Sequence, residues 1–463
     1  MTASKVSWDD VEVVESGDRQ GGEIKHVGVM GAGLVGCLAA SILAQRGYDV
    51  EVFEYRSDIR NEEDIQGRSI NMTIAKRGLD SLEAIGVKDV ILKESIPMYG
   101  RMIHRQDGST YPVPYGVKDQ AVYSISRNLI NKLLLDTAEG NKNVRINFNH
   151  KLQDINLNSR EATFQVQTDK SVVKKRFDAV FGCEGAFSKT RQQFMRDTSF
   201  NYSQTYIDAL YMELSIEPDE EGNSKMPDVN YLHIWPRGNF MLIGLPNKDM
   251  SWTMTLFGPK SIYTEFKFAS GVMGVFEKYF PDAIPLMTKK RILADCLDTK
   301  GYPMVQIKCS PHVLNNTILL GDASHAMVPF YGEGMNCGFE DCLVLNSLLD
   351  QHNMKTALTL YSGARVADVQ AMCDLAMYNY IEMRDLVRSP LFQLRKWMDN
   401  LLHSAAPSFW IPLYTSIRFQ RALTYEQCWN NKKWQDRTID RALISGLVMV
   451  LGVLTAVFFS SLS

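Results

Sequence analysis

The 463 residues are 45% hydrophobic and 22% charged, ordinary globular proportions that exclude a disordered or fibrous chain. A formal net charge of -3 excludes the global basic field of a nucleic-acid binder. The eight cysteines form no CxxC pair and the eight histidines no HExxH, so no metal-site spacing stands out, and the cysteines read as reduced, buried thiols of a cytosol-facing protein.

In chain order, Met1 to Glu23 is a polar extension. It has neither the basic-then-apolar order of a signal peptide nor the Arg-rich, acid-poor make-up of a transit peptide. "HVGVMGAGLVGCLAA" (His26 to Ala40) reads as a short buried strand, a glycine turn and an apolar helix. Gly47 stands where a helix would be capped, and "DVEVFE" (Asp49 to Glu54) reads as the next strand. Gly31 would permit the tight turn, Gly33 would let the backbone approach a pyrophosphate, and Gly36 would let helix and strand pack closely. Glu54 falls where a carboxylate can accept hydrogen bonds from ribose hydroxyls, which disfavours a 2′-phosphate there but does not separate NAD from FAD.

Further along, "YGRMIHRQDGSTYPVPYG" (Tyr99 to Gly116) is expected to form a β-hairpin turning at Asp107-Gly108, and Arg127 to Glu139 an amphipathic helix. "DAVFGCEG" (Asp178 to Gly185) is strand into turn, and Val229 to Phe257 alternates strands with turns, as a separate sheet layer would. "LLGDASHAMVPFYGEGMNCGFEDC" (Leu319 to Cys342) is a strand ending in Gly321-Asp322, then a Pro- and Gly-rich loop entering a helix at about Met335. A second ligand-reading loop suits a flavin with its ribityl chain. Asp322 would bind a ribityl hydroxyl, and the N–H groups near Gly334, Met335 and Asn336 would face the flavin ring from a helix N-terminus. Gly338 to Lys433 is mostly helical, and Ala442 to Phe459 carries no charge and follows Lys432, Lys433, Arg437 and Arg441, as in a membrane tail anchor.

"GAGLVG", the Gly-Asp loop and "GCEGAFSKTR" (Gly182 to Arg191) together resemble the FAD-dependent aromatic hydroxylases. Within them the chain is most similar to the kynurenine hydroxylases, through "GRSINMT" (Gly67 to Thr73), "YGRMIH", "PYG", "YLHIWPRGNFMLIGLPN", "VPFYGEGMNCGFEDC", "MYNYIEMR" (Met377 to Arg384) and "FWIPLYTSIRF" (Phe409 to Phe419). The similarity runs from about residue 24 to the C-terminal tail.

The resemblance implies an α/β fold, α+β overall. A Rossmann-like FAD-binding domain (24–80, 120–195 and 300–350) would interleave with a β-sheet substrate domain (81–119 and 196–299). A helical region (351–436) and a transmembrane helix (441–460) would follow. Besides the glycines and Val35 of the turn, FAD would contact Glu54, Arg56, Arg127, Leu152, Asp322, Gly334, Met335 and Asn336. Arg101 and Tyr115 would hold the substrate carboxylate with Asn379 and Tyr414. Leu245, Phe257, Pro329, Phe330 and Met383 would line the ring pocket. The implied reaction consumes NADPH and O₂ and converts L-kynurenine to 3-hydroxykynurenine, within tryptophan degradation towards NAD synthesis. NADPH would bind transiently, and flavin and oxygen rather than a protein nucleophile or a metal would carry the chemistry. The implied location is the mitochondrial outer membrane, with the catalytic body facing the cytosol.

Taken without the resemblance, each residue has a plainer reading. Arg101 could be a surface arginine beside a hairpin, Tyr115 and Tyr414 core aromatics, and Asn379 a solvent-facing helical residue; His325 reads as structure rather than as a base. Two motif positions depart from the family pattern. Glu184 stands where Asp is usual, and Glu333 where Gln is usual, which would put a carboxylate near the substrate or flavin. Two other readings stay open: a membrane-anchored flavin hydroxylase or epoxidase acting on a lipid or quinone, and a non-catalytic binding protein that keeps a flavoprotein fold. The carboxylate-binding set argues against the first, and the Gly-Asp and ring-pocket residues against the second.

Overall fold

The computed structural model describes residues 24–61, 71–115, 120–297, 300–384 and 390–460. The extension 1–23, the first four residues of "GRSINMT" and Gly116 lie outside them.

A six-stranded sheet forms the first layer, with strand His26–Met30 between Asp49–Phe53 and Ala179–Gly182, parallel to both. Val27 and Val29 are fully buried, as the continuous apolar run of a central parallel strand requires. Helix Leu34–Gln45 crosses over to Asp49–Phe53. Gly47 closes that helix at φ +86°, where its N–H donates to the Ala44 carbonyl at 2.9 Å. Helix Arg127–Glu139 has the bounds expected of it, and Ser126 Oγ accepts the Leu129 N–H as its cap. Sequence reading did not single out the three-stranded sheet of His150–Asn156, Glu161–Val166 and Val172–Arg176. It packs on the first layer through Phe164, stacked on Phe53 at 4.1 Å.

A seven-stranded sheet forms the second layer, in the order Tyr302–Ser310, Asn201–Ile216, Trp252–Gly258, Phe240–Pro246, Tyr231–Arg237, Gly100–His104, Thr110–Pro114. The last two strands are the expected hairpin, turning at Gly108 with φ +84°. Two domain boundaries shift. Residues 81–93 do not belong with the substrate sheet as expected, because Leu82, Ile85 and Ile91 pack into the core of the first layer, whereas Met98 does pack beside Leu245 and Tyr115. Strand Tyr302–Ser310, assigned to the FAD domain by the boundary at 300, pairs antiparallel with Asn201–Ile216 instead.

The helical region consists of Met354–Arg384, Pro390–Ala405, Leu413–Phe419 and Tyr425–Ser460. The last helix runs through the expected start of the membrane anchor without a break. Most side chains of Ala442 to Phe459 lie outside the described residues, among which no helix is long and apolar enough to cross a membrane.

Candidate active site

Between the two layers run a long groove and a shorter pocket that meet end to end. The groove, of about 440 Å³, starts at the glycine turn. Gly31 takes φ +100°, and a Cβ there would lie 2.7 Å from the Cys183 carbonyl oxygen. A Cβ on Gly36 would overlap the Gly31 carbonyl, so Gly36 serves helix–strand packing from behind the groove. Gly33 differs from both: a Cβ there meets nothing within 4 Å, because that face opens on the groove. Gly33 also caps helix Leu34–Gln45 with no side-chain acceptor on its first N–H groups. A bare helix N-terminus over an open glycine fits the FAD pyrophosphate.

Glu54, 4% exposed, accepts the Ala32 N–H at 2.9 Å through one carboxylate oxygen and Arg56 Nε at 2.8 Å through the other. The strand end and the glycine turn are thereby pinned together where ribose hydroxyls would sit. Val35, Arg56 and Leu152 line the same groove. At its far end stand Arg127, Asp322, Gly334 and Met335, which also line the pocket. Gly334 opens helix Gly334–Leu349, whose first N–H groups have no side-chain cap.

Asp322 follows Gly321, which is held at φ +58°. The turn is braced from beneath by Asp341, which accepts the Gly321 N–H at 2.8 Å, His325 Nε2 at 2.6 Å and Arg365 Nε at 3.0 Å. Burial alone would raise the Asp341 carboxyl; His325 and Arg365 overturn that and hold it well below its ordinary range. His325, Cys337 and Asp341 offer atoms within 4.8 Å of one another. With Asp341 taken up by these donors and the Arg365 cation beside it, the cluster is a brace rather than a cation site. Asp322 itself stays accessible from the groove, while the protein packed around it raises its carboxyl against the pull of His325 and Arg127.

Asn336 stands apart from the groove. Its amide donates to the Thr73 and Gly332 carbonyls at 2.9 and 3.1 Å and accepts the Ala75 N–H at 2.9 Å, which locks the loop rather than contacting a ligand with its side chain.

The pocket, of about 340 Å³, is apolar along its length, with Leu245, Phe257, Pro329, Phe330 and Met383 in its wall. Phe257 and Phe330 meet at 4.9 Å. Its outer end is Arg101, whose guanidinium lies 4.7 Å from the Tyr414 ring centroid and 5.8 Å from that of Tyr115, the two rings being stacked at 5.1 Å. Among the described residues Arg101 pairs with no carboxylate. Burial and the neighbouring Tyr414 push the Tyr115 phenol up, so its hydroxyl stays neutral and able to donate. These features suit capture of a carboxylate. Asn379 is not in this wall: its amide donates to the Phe330 carbonyl at 2.8 Å and holds the loop from the neighbouring cavity.

The two motif departures differ: Glu184 borders the groove, and Glu333 lines neither the groove nor the pocket. Glu184 accepts the Thr190 N–H at 2.8 Å and the Ser188 hydroxyl at 2.9 Å, so the longer acid reaches the start of helix Lys189–Phe194. Glu333, 1% exposed, lies 2.7 Å from Arg418 and accepts the Tyr425 hydroxyl at 2.9 Å, behind the loop and not against the substrate or flavin as expected. Sequence reading missed Tyr331, stacked on Tyr414 at 5.8 Å, and Arg418, which donates to the Tyr331 carbonyl. The signal for Arg418 was available: it stands four residues after Tyr414, on the same helix face.

The family described as FAD binding domain matches residues 25–376. A kynurenine 3-monooxygenase of Anopheles gambiae is 44% identical over 90% of this chain and 86% of its own length. One of Sus scrofa is 42% identical over 90% and 88%. Among solved structures, 2-methyl-3-hydroxypyridine-5-carboxylic acid oxygenase superposes with a TM-score of 0.63 at 18% identity, over 80% of this chain and 95% of that one, a likeness of fold.

Proposed function

The chain belongs to the kynurenine 3-monooxygenase family of FAD-binding proteins, and from that premise we propose that it hydroxylates L-kynurenine to 3-hydroxykynurenine, consuming NADPH and O₂. The observation that carries the reading is Arg101, reserved between two stacked tyrosines at one end of an apolar pocket whose other end is the flavin groove.

FAD bound in the groove and reduced by NADPH would activate O₂ for transfer of one oxygen atom to the substrate ring. The chain's own residues bind, orient and exclude water. Glu54 and Asp322 would accept from the sugar and ribityl hydroxyls of FAD, and the N-terminus of Leu34–Gln45 would receive its pyrophosphate. The uncapped N-terminus of Gly334–Leu349 favours negative charge at the junction with the pocket. Arg101 with Tyr115 and Tyr414 fixes the carboxylate. That places the aromatic ring between Phe257, Phe330 and Leu245, in an apolar wall that keeps water from the reacting end. The purified protein should be yellow, and kynurenine should stimulate NADPH oxidation with formation of 3-hydroxykynurenine. A colourless protein would point to a non-catalytic binding role. A flavoprotein indifferent to kynurenine would point to another substrate.

The tail anchor belongs to the same proposal. Eighteen uncharged residues in a helix cover roughly 27 Å, enough for a thin hydrocarbon layer, and four basic residues precede them. This supports insertion into the mitochondrial outer membrane with the body in the cytosol. The full chain should sediment with mitochondria and resist carbonate extraction, and a truncation after Asp436 should become soluble. Full-length protein that is soluble without detergent would end the membrane assignment.

A further inference from the structure

Arg101 borders three cavities. One is the ring pocket. Another, of about 720 Å³, lies between the outer strands of the substrate sheet and helix Pro390–Ala405, and shares Arg101 and Met383 with the ring pocket. The third, of about 440 Å³, lies beside helices Met354–Arg384 and Tyr425–Ser460.

The larger cavity and the third differ in charge. Four cations and no carboxylate line the larger one: Arg101, Arg105, Arg237 and Lys396. Arg237 is spent on the carbonyls of Tyr279, His104, Pro236 and Arg105. The other three pair with no carboxylate among the described residues, and Arg105 lies 4.5 Å over the Tyr111 ring. Tyr111, Tyr279, Phe392 and Trp397 stand between the cations. The third cavity shares Arg101 and Lys396 but sets three carboxylates, Glu382, Asp399 and Asp436, against its cations. Arg395 lies 3.1 Å from Asp399 and 2.8 Å from Asp436, and Lys432 is 2.5 Å from Asp436. Unmatched cations interleaved with rings suit a molecule that is aromatic at one end and a carboxylate at the other. Matched pairs exert little field on one.

We propose that the larger cavity is the antechamber of the active site. An aromatic carboxylate would pass through it ring first, beyond Met383, while Arg105 and Lys396 hand its carboxylate to Arg101. The order follows from position: Arg101 stands at the junction and stops the carboxylate, so the ring must precede it into the apolar pocket. The inference rests on the substrate class proposed above. One-sign clefts with low-dielectric walls focus the field and raise association rates, an effect that salt removes.

The test is kynurenine-stimulated NADPH oxidation by the full-length, FAD-loaded protein at low and at high ionic strength. Arg105→Glu, which alters the antechamber alone, should lower kcat/KM about tenfold at low ionic strength. Its kcat and flavin absorbance should be unchanged, and the gap should close at high salt. Gln106→Arg, which adds a cation to the same wall, should raise kcat/KM. Lys432→Glu, which alters the third cavity alone, should change it by less than about twofold. A salt-dependent loss in Lys432→Glu with none in Arg105→Glu would overturn the proposal, because the third cavity would then be the route. A loss in Arg105→Glu that persists at high salt would also overturn it, by showing a structural role. Wild-type protein that does not respond to kynurenine would instead defeat the substrate reading, so the two failures are distinguishable.

Discussion

The flavin groove and the outer end of the ring pocket use charge in opposite ways. In the groove the protein engages its own acids: Glu54 holds the Ala32 N–H and Arg56, and Glu184 holds Thr190 and Ser188. At the pocket end, Glu333 and Arg418 are matched behind the loop, while Arg101 lies over two rings and forms no ion pair among the described residues, Glu382 acting on it only from across the neighbouring cavity. A cofactor that stays bound can be held by shape, backbone donors and groups already satisfied. A substrate that comes and goes needs a charge reserved for it, set on a scaffold that does not compete. Burying charge is costly unless it is matched, which is why the deeply buried Glu333 and Arg418 behind the loop are paired.

The comparison breaks most sharply at Glu333. Glu333→Gln strands Arg418, so stability of the FAD-loaded protein should fall on the order of 3–5 kcal/mol in a urea titration. An unchanged midpoint would mean that the pocket end does not depend on the matched pair. Next comes the reserved charge itself. Arg101→Ala should weaken kynurenine binding by on the order of 2–5 kcal/mol with flavin content intact. Equal affinity in a binding titration would return Arg101 to the surface-residue reading.

The groove should respond less. Asp322→Ala removes one charged acceptor, and FAD affinity should fall by on the order of 1.5–3 kcal/mol while the protein stays folded. Full flavin occupancy after dilution would remove the role given to Asp322. Glu184→Ala should cost about 1 kcal/mol of stability through the lost acceptor for the Thr190 N–H and leave flavin bound. Loss of flavin instead would make Glu184 a ligand.

A pH-dependent effect sits on strand Asn201–Ile216, at Glu213. Burial raises the Glu213 carboxyl from its ordinary 4.5 to about 7, against the pull of Arg127. Between those values the folded state holds the proton more tightly than the unfolded chain. Stability from this group is therefore full below 4.5 and is lost as pH rises through 7. Glu213→Gln should accordingly gain in melting temperature over wild type across that window. A difference independent of pH would show that Glu213 ionises normally.

Sequence alone determined the features whose physics is local. The glycine turn, the helix Arg127–Glu139, the hairpin at Gly108 and the strand-to-Asp322 turn each follow from a few adjacent residues whose periodicity or backbone freedom admits one conformation. Motif resemblance then brought Arg101, Tyr115 and Tyr414 to one site, which no spacing along the chain could have done, since strand Gly100–His104 and helix Leu413–Phe419 meet only in the fold. Only the tertiary structure decided where side chains with several possible partners turn. Glu333 and Asn336 lie in the middle of a ligand-binding motif, yet both turn inward, because Arg418, Tyr425 and the carbonyls of Thr73 and Gly332 come from distant segments and satisfy them there. A buried polar group goes to whichever partner packing supplies, and packing is a property of the whole chain.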